Sequence, residues 1–332
     1  MNRKPLYWHG HHSREESLDP LERSKYLTAD SVEELNQFSN DMGWDLVYSQ
    51  LGRGGLNGTF TEFQSPSLFA TFEKISNAIH AHTSCFPGCV IVAMHVSNQP
   101  SAINGLELDS STMLIAKDEC ELEMTMHGAG DLFVGYIPET DFETMLDEKL
   151  NSEPLETFQL GSAGVGKYLQ NWLNRWGDIN TKENLLAPTL LTLELKELMW
   201  SSIDHFRAQK ENGASANPRK SPRAAKSIQQ LIDYFYAHPA QLLDTEDMQR
   251  VTGVNRRTLF HNFKKFTGYT PYQFSRYVRL NYFRRDLQRD MGTVTDLGHK
   301  YGFHNIGELA NLYQTTFGEL PSNTRRNSLL FS

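Results

Sequence analysis

The chain has 332 residues, 39% of them hydrophobic and 22% charged, and a formal net charge of −8. That profile excludes a mostly disordered chain, and the longest unbroken apolar run, Cys89–Met94, is far too short to span a bilayer. The opening MNRKPLYWHG lacks the apolar core of a secretory signal, and three cysteines (Cys85, Cys89, Cys120) make no disulfide framework, so a cytoplasmic protein without a membrane partner is expected.

Residues 1–50 are weakly patterned. Ser31 with Glu34 three residues on predicts a capped helix towards Asn40, and a second helix is expected near Gly43–Leu51. From Leu56 the pattern alternates in short segments. Strands are expected over Gly58–Gln64, Leu68–Ile75, Ala78–Thr83, Val90–Val96, Thr112–Ala116, Glu121–Met126 and Leu132–Ile137. Seven short strands with hairpin spacing predict a β-barrel or sandwich, which can enclose one small ligand. After Pro138 the period becomes helical, with Phe142, Met145, Leu146 and Leu150 on one stripe, then segments over 166–176 and 190–206. Leu191, Leu195, Leu198 and Ser202 fit an a/d seam, which would suit a homodimer, or else pack on the barrel.

Histidines are the main chemical candidates in this half. His80 and His82 stand at i, i+2 on one strand, and His95 and His127 on others, a set that could hold zinc or iron in a cupin-like metal enzyme. No carboxylate follows His82 at metal-ligand spacing, so scattered histidines are the preferred reading. His9, His11 and His12 lie in an irregular start. No Ser/His/Asp arrangement is assignable, and the GRGG run at 52–55 lacks the lysine of a phosphate loop. No catalytic residue, metal or cofactor is assigned, and the ligand-binding residues stay open.

Charge divides along the chain. Residues 1–211 carry a balance of −16, residues 212–223 one of +3 and residues 224–332 one of +5. The run NGASANPRKSPR at 212–223 is small and polar, and reads as a flexible linker of roughly 20 Å between two loosely joined halves. An acidic body with a basic tail predicts that the tail meets a polyanion.

The last third supplies the geometry. Ala225–His238 reads as an amphipathic helix. Thr245–Thr252, the break Gly253-Val254-Asn255, and Arg256–Thr267 ended by Gly268 form a helix-turn-helix. Leu259, Phe263 and Phe266 face the core. Arg257, His261 and Lys264 share the opposite face, flanked by Arg256, Phe260 and Lys265. A cationic face backed by aromatics suits entry into the major groove of double-stranded DNA. The pattern recurs, with Thr293 capping Val294–Tyr301, a break at Gly302-Phe303, and Asn305 capping a helix to Phe317 ended by Gly318. Between the copies Pro271–Asp290 reads as one helix of about 30 Å. That is close to one DNA turn, so the two reading helices could enter successive major grooves.

The stretch GVNRRTLFHNFKKFTGYTPYQFSRYVRLNYFRRDL, followed by TVTDLGHKYGFHNIGELANLYQTTFGELPSNTRR, resembles the double helix-turn-helix domain of AraC/XylS-type transcription regulators. The resemblance covers about 100 residues. It implies an α+β chain in which an AraC-type N-terminal domain with appended helices senses a small-molecule effector or dimerises and an all-α domain binds DNA. It also implies an activator, with RNA polymerase as a further partner. By position, Arg257, Phe260 and His261 fall where the first reading helix touches bases, and Ile306, Gly307, Ala310 and Asn311 where the second does. Gln249, Phe283 and Gly298 depart from the family's small alanines. His304–Gly318 contains no Lys or Arg, so the first copy, helped by Arg276, Lys300, Arg325 and Arg326, is expected to supply most of the electrostatic grip. GTFTEF at 58–63 and RLNYFRRDL at 279–287 are similar to the ethanolamine-utilisation regulators, a local likeness that carries no effector with it.

Overall fold

A computed structural model describes residues 23–41, 46–65, 68–84, 88–96, 101–108, 112–117, 121–146, 155–159 and 222–331, with residues 171, 193, 194 and 197. Its first elements are β1 (Arg23–Ala29), α1 (Val32–Asp41) and β2 (Leu46–Gln50). Then come β3 (Gly58–Ser65), β4 (Leu68–Ile75), β5 (Ile79–Ser84), β6 (Cys89–Val96), β7 (Ser101–Ile103) and β8 (Leu106–Leu108). The sheets are completed by β9 (Thr112–Ala116), β10 (Glu121–Met126), β11 (Gly130–Pro138) and, after α2 (Glu139–Leu146), β12 (Leu155–Gln159).

These strands make two antiparallel sheets, ordered β1-β3-β4-β11-β6-β9-β12 and β2-β5-β10-β7-β8. Of the two architectures expected, the sandwich is the one formed. Among the described strands neither sheet closes into a barrel. Period-two alternation sorts the residues. Tyr48, Ile79, Ala81, Leu122 and Met124 of the shorter sheet meet Phe60, Phe69, Ile91, Ala93 and Leu114 of the longer one in a single apolar core. The outer face of the shorter sheet instead carries Ser49, His80, His82, Glu123 and Thr125.

All seven expected strands are present. The helix expected near Gly43–Leu51 is instead β2, paired with β5 from Leu46↔Thr83 to Gln50↔Ile79. Leu-Val-Tyr-Ser-Gln is β-leaning and too short to repay helix nucleation, and it turns Tyr48 into the core and Ser49 out of it. Of the helices read over 166–176 and 190–206, residues 171, 193, 194 and 197 are described and helical, while the rest, including the a/d seam, lie outside the described residues, as do His9, His11, His12, Cys85 and Cys120. Cys89 is a free, buried thiol, pushed up to about 11 by burial.

The C-terminal part is helical: α3 (Pro222–Ala237), α4 (Thr245–Thr252), α5 (Arg256–Thr267), α6 (Pro271–Gln288), α7 (Val294–Lys300), α8 (Ile306–Phe317) and α9 (Pro321–Phe331). The first helix begins three residues earlier than expected, because a proline is preorganised for the first helical turn. Residues 212–221 of the expected linker lie outside the described set. α6 ends two residues short of Asp290, where the chain turns through a left-handed residue (Asp290, φ 48°).

The two parts are in close contact rather than loosely joined. The outer face of the shorter sheet packs on the helices, and Leu51 and Ala78 enter the same apolar cluster as Ile228, Leu231 and Phe274. Polar residues of that face are buried against α3: Ser49, His80, Glu123 and Thr125 are each 2% exposed or less. The Tyr236 hydroxyl lies 2.8 Å from His80 Nδ1 and donates to Ser49 Oγ at 3.0 Å. Gln229 donates to Glu123 Oε1 at 2.6 Å.

Candidate nucleic-acid interface

Two copies of one construction are built from local signals. In the first, Asp244 caps α4 with a full capping box, Gly253 (φ 66°) makes the left-handed turn, and Asn255 caps α5 by accepting the Thr258 N–H at 3.0 Å. In the second, Thr293 caps α7, Gly302 (φ 72°) makes the turn, and Asn305 caps α8 by accepting the Glu308 N–H at 3.1 Å. Both α5 and α8 end at a left-handed glycine, Gly268 and Gly318.

Each copy has its own core. Leu259 and Phe263 of α5 pack with Phe235, Met248, Phe274 and Val278. Leu309, Tyr313 and Phe317 of α8 pack with Leu280, Phe283, Leu287 and Leu297. α6 therefore gives its first half to one core and its second half to the other, which makes it a shared strut of about 27 Å. Phe283, in place of a small residue, is fully buried between the rings of Phe303 and Tyr313. At Gly298 an added Cβ would sit 2.9 Å from Ile306 Cδ1 and 3.0 Å from Leu309 Cδ2, so α7 and α8 approach closely there.

The expected DNA-contacting residues fall on the surface. Arg256, Arg257, His261, Lys264 and Lys265 of α5 are exposed, as is Arg276 of α6. Phe260 is half-buried. Its ring meets Tyr272 at 5.7 Å and lies under the Arg256 guanidinium, so it frames the cationic face more than it projects from it. On α8, Gly307 and Asn311 are exposed, while Ile306 and Ala310 are half-buried. Two of the expected helper cations already have acidic partners: Lys300 with Asp286 at 2.7 Å and Arg325 with Asp290 at 3.1 Å.

The four histidines of the sandwich do not converge on one point: His80 and His82 share a partner, and His95 and His127 lie apart from them. His80 and His82 do share a face, but both meet Glu123 from the neighbouring strand, His80 Nε2 at 2.6 Å. Burial alone would raise the Glu123 carboxyl, but the His80 charge and the bonds from both rings hold it well below the usual range. The bond to Glu123 likewise raises His82. His95 bonds Ser101 at 2.9 Å, and His127 lies against Gly268 and Tyr269. Among the described residues no cluster of three or more His, Cys, Asp or Glu is arranged to hold a metal, and no helix is long and apolar enough to cross a membrane.

Inside the sandwich sits a second polar group. Tyr48 donates to Glu73 at 3.1 Å and Thr71 does so at 3.0 Å. Burial pushes the Glu73 carboxyl up to about 7. Neither Glu73 nor the residues joining the body to the helices stood out in the sequence. Alternation does place Glu123 on an outer face, but nothing in the pattern names its partner on α3.

A family profile described as "Helix-turn-helix domain" matches residues 248–327. A "Probable thc operon regulatory protein" of Rhodococcus erythropolis is 35% identical over 98 residues, covering 29% of this chain and 30% of the relative. The "XylDLEGF operon transcriptional activator 3" of Pseudomonas putida is 30% identical over 103 residues, covering 30% and 31%. This chain thus spans about a third of the length of these curated relatives. A solved AraC-type DNA-binding regulator from Chromobacterium violaceum is 24% identical, covering 32% of this chain and 96% of that one, with a TM-score of 0.30.

Proposed function

We propose that this chain, which belongs to the AraC/XylS family through its C-terminal helix-turn-helix domain, is a sequence-specific transcription activator that acts in the cytoplasm and answers to a small-molecule effector. The observation that carries the reading is the α5 face. Arg257, His261 and Lys264 stand exposed in one row on a helix capped at both ends, with the acidic body docked elsewhere. Double-stranded DNA is the polyanion such a face fits. The α8 face, through Asn311, Ala310 and Ile306, reads a second groove with little phosphate attraction. RNA polymerase and a second copy of the chain are the protein partners this reading implies. The buried Tyr48–Glu73–Thr71 group supports a sensing role for the sandwich, since a purely structural core gains nothing from a desolvated acid.

The test is selection of the full chain against a random duplex pool, then affinity measurements on the winning sequence and its single-base variants. Arg257→Ala and His261→Ala should relax preference at one or two positions, each by about 1–3 kcal/mol of discrimination. Lys265→Ala should weaken all sequences alike. A larger loss of selectivity from Asn311→Ala than from Arg257→Ala would contradict the assignment of the main grip to the first copy.

A further inference from the structure

β2 is an end strand, and two side-chain amides finish its outer edge where another strand would otherwise pair. Asn36 of α1 accepts the Tyr48 N–H at 2.7 Å and donates to the Tyr48 carbonyl at 2.9 Å. Two residues on, Asn281 of α6 repeats the arrangement. Its Oδ1 accepts the Gln50 N–H at 3.0 Å and its Nδ2 donates to the Gln50 carbonyl at 2.9 Å. Residues i and i+2 of a strand present their backbone groups to the same edge, so the two asparagines together stand in for a paired strand. One comes from the body and the other from the strut between the readers.

The contact continues into both readers. The last carbonyls of a helix have no partner within it. At the end of α8 those of Thr315 and Thr316 are taken by the body, Thr315 by the Gly54 N–H at 2.8 Å and Thr316 by Gln50 Nε2 at 2.6 Å. In the opposite direction Ser49 receives the Tyr236 hydroxyl from α3, and the Leu51 carbonyl receives that of Tyr269, just past α5, at 3.4 Å. Three consecutive residues therefore tie the first unit, the strut and the second unit to one rigid strand end. Gln50 is 1% exposed and Asn281 8%, so water does not compete for these bonds.

We infer that residues 49–54 brace the two reading helices against each other, with Gln50 and Asn281 as positioning residues that confine the operator to one half-site spacing. The inference rests on the reading of α5 and α8 as DNA readers. The attachment lies at the C-terminal ends of both helices, while Arg257, His261 and Asn311 remain exposed with the body in place. An inserted base pair turns one half-site by about 35° relative to the other. Without the brace, the readers are joined by the strut and by the approach of Leu242 to the Gly302 turn, and helices bend gently. With the brace, the readers meet only one rotational setting.

The test uses the full chain and the duplex that it selects from a random pool, with one base pair then inserted between the half-sites. The wild type should lose on the order of tenfold in affinity on insertion. Asn281→Ala and Gln50→Ala should each cut that penalty to under about threefold, while binding the uninterrupted duplex within about threefold of the wild type. A merely destabilised protein would lose affinity for both duplexes equally and keep the ratio. Gln50→Ala leaves the Asn281 amide pair in place, so it answers the question even if Asn281→Ala folds poorly. Full retention of the penalty by folded Gln50→Ala, judged by its thermal melt, overturns the brace alone. Indifference of the wild type to the insertion overturns the two-reader reading and the brace with it.

Discussion

Glu73 and His95 face the sandwich interior, and burial acts on them in opposite directions. Glu73 is pushed up to about 7, against an ordinary 4.5. The folded chain therefore keeps a proton that the unfolded chain releases between those values, and this group's contribution to stability falls as pH rises through that interval. The full cost above pH 7 is about 3 kcal/mol. His95 is pushed down to about 4 from 6.5, so its contribution rises with pH over an overlapping window. The comparison that isolates Glu73 is between wild type and Glu73→Gln, in which the His95 effect cancels. Glu73→Gln should melt several degrees higher than the wild type at about pH 8 and no higher at about pH 4. An equal gain at both values would show that packing, not ionisation, is what the substitution changes.

At the next scale, the ends of the two reading helices look alike in the sequence and differ in their surroundings. Gly268 (φ 77°) and Gly318 (φ 78°) both occupy the left-handed region, where an alanine costs about 1–2 kcal/mol. Beyond that, a Cβ on Gly318 would meet only Gly55 backbone at 3.7 Å, whereas on Gly268 it would lie 2.6 Å from the His127 ring. Gly268→Ala should therefore destabilise the chain more than Gly318→Ala in thermal melts, because it must also push the body away from the first unit. The reverse order would show that the body does not press on that turn.

The same contrast explains which elements were legible. Caps, turns and end glycines of the helix-turn-helix copies are local chemistry, and α4, α5 and α8 fall on the expected residues. The seven central strands were equally plain, since each carries its own alternation. β1, β2, β7, β8 and β12 were missed because strands of three to seven residues at sheet margins have too few periods to declare themselves. Asn281 was unreadable for a different reason. An amide that completes another element's edge acts across 231 residues of sequence separation, and no spacing rule reaches that far. The cationic face of α5 needed only the helical period. The Glu123 network and the Gln50 contacts exist only once the sheet is docked.

Charge is the property of the whole molecule that bears on DNA binding. The body of 211 residues carries −16, yet it packs directly on the unit proposed to bind DNA. The free cations of the reading surface are concentrated on the first copy: four on α5 and Arg276 on α6, against none on α8. Lys300 and Arg325 are engaged by Asp286 and Asp290, and Arg284 is buried between Glu33 of the body and Glu319. With Arg326, exposed on α9, about six cations are thus left to displace counterions, which predicts that log K falls against log salt with a slope of about −5. Replacing Lys264 and Lys265 together by alanine should make that slope shallower by about 2, whereas Asn311→Ala should leave it unchanged. Scrambling the half-site under α8 should cost affinity without altering the slope, because that contact releases few ions. A slope near −8, or one that becomes shallower when the α8 half-site is scrambled, would mean that the second copy also grips phosphate, through cations outside the two reading helices.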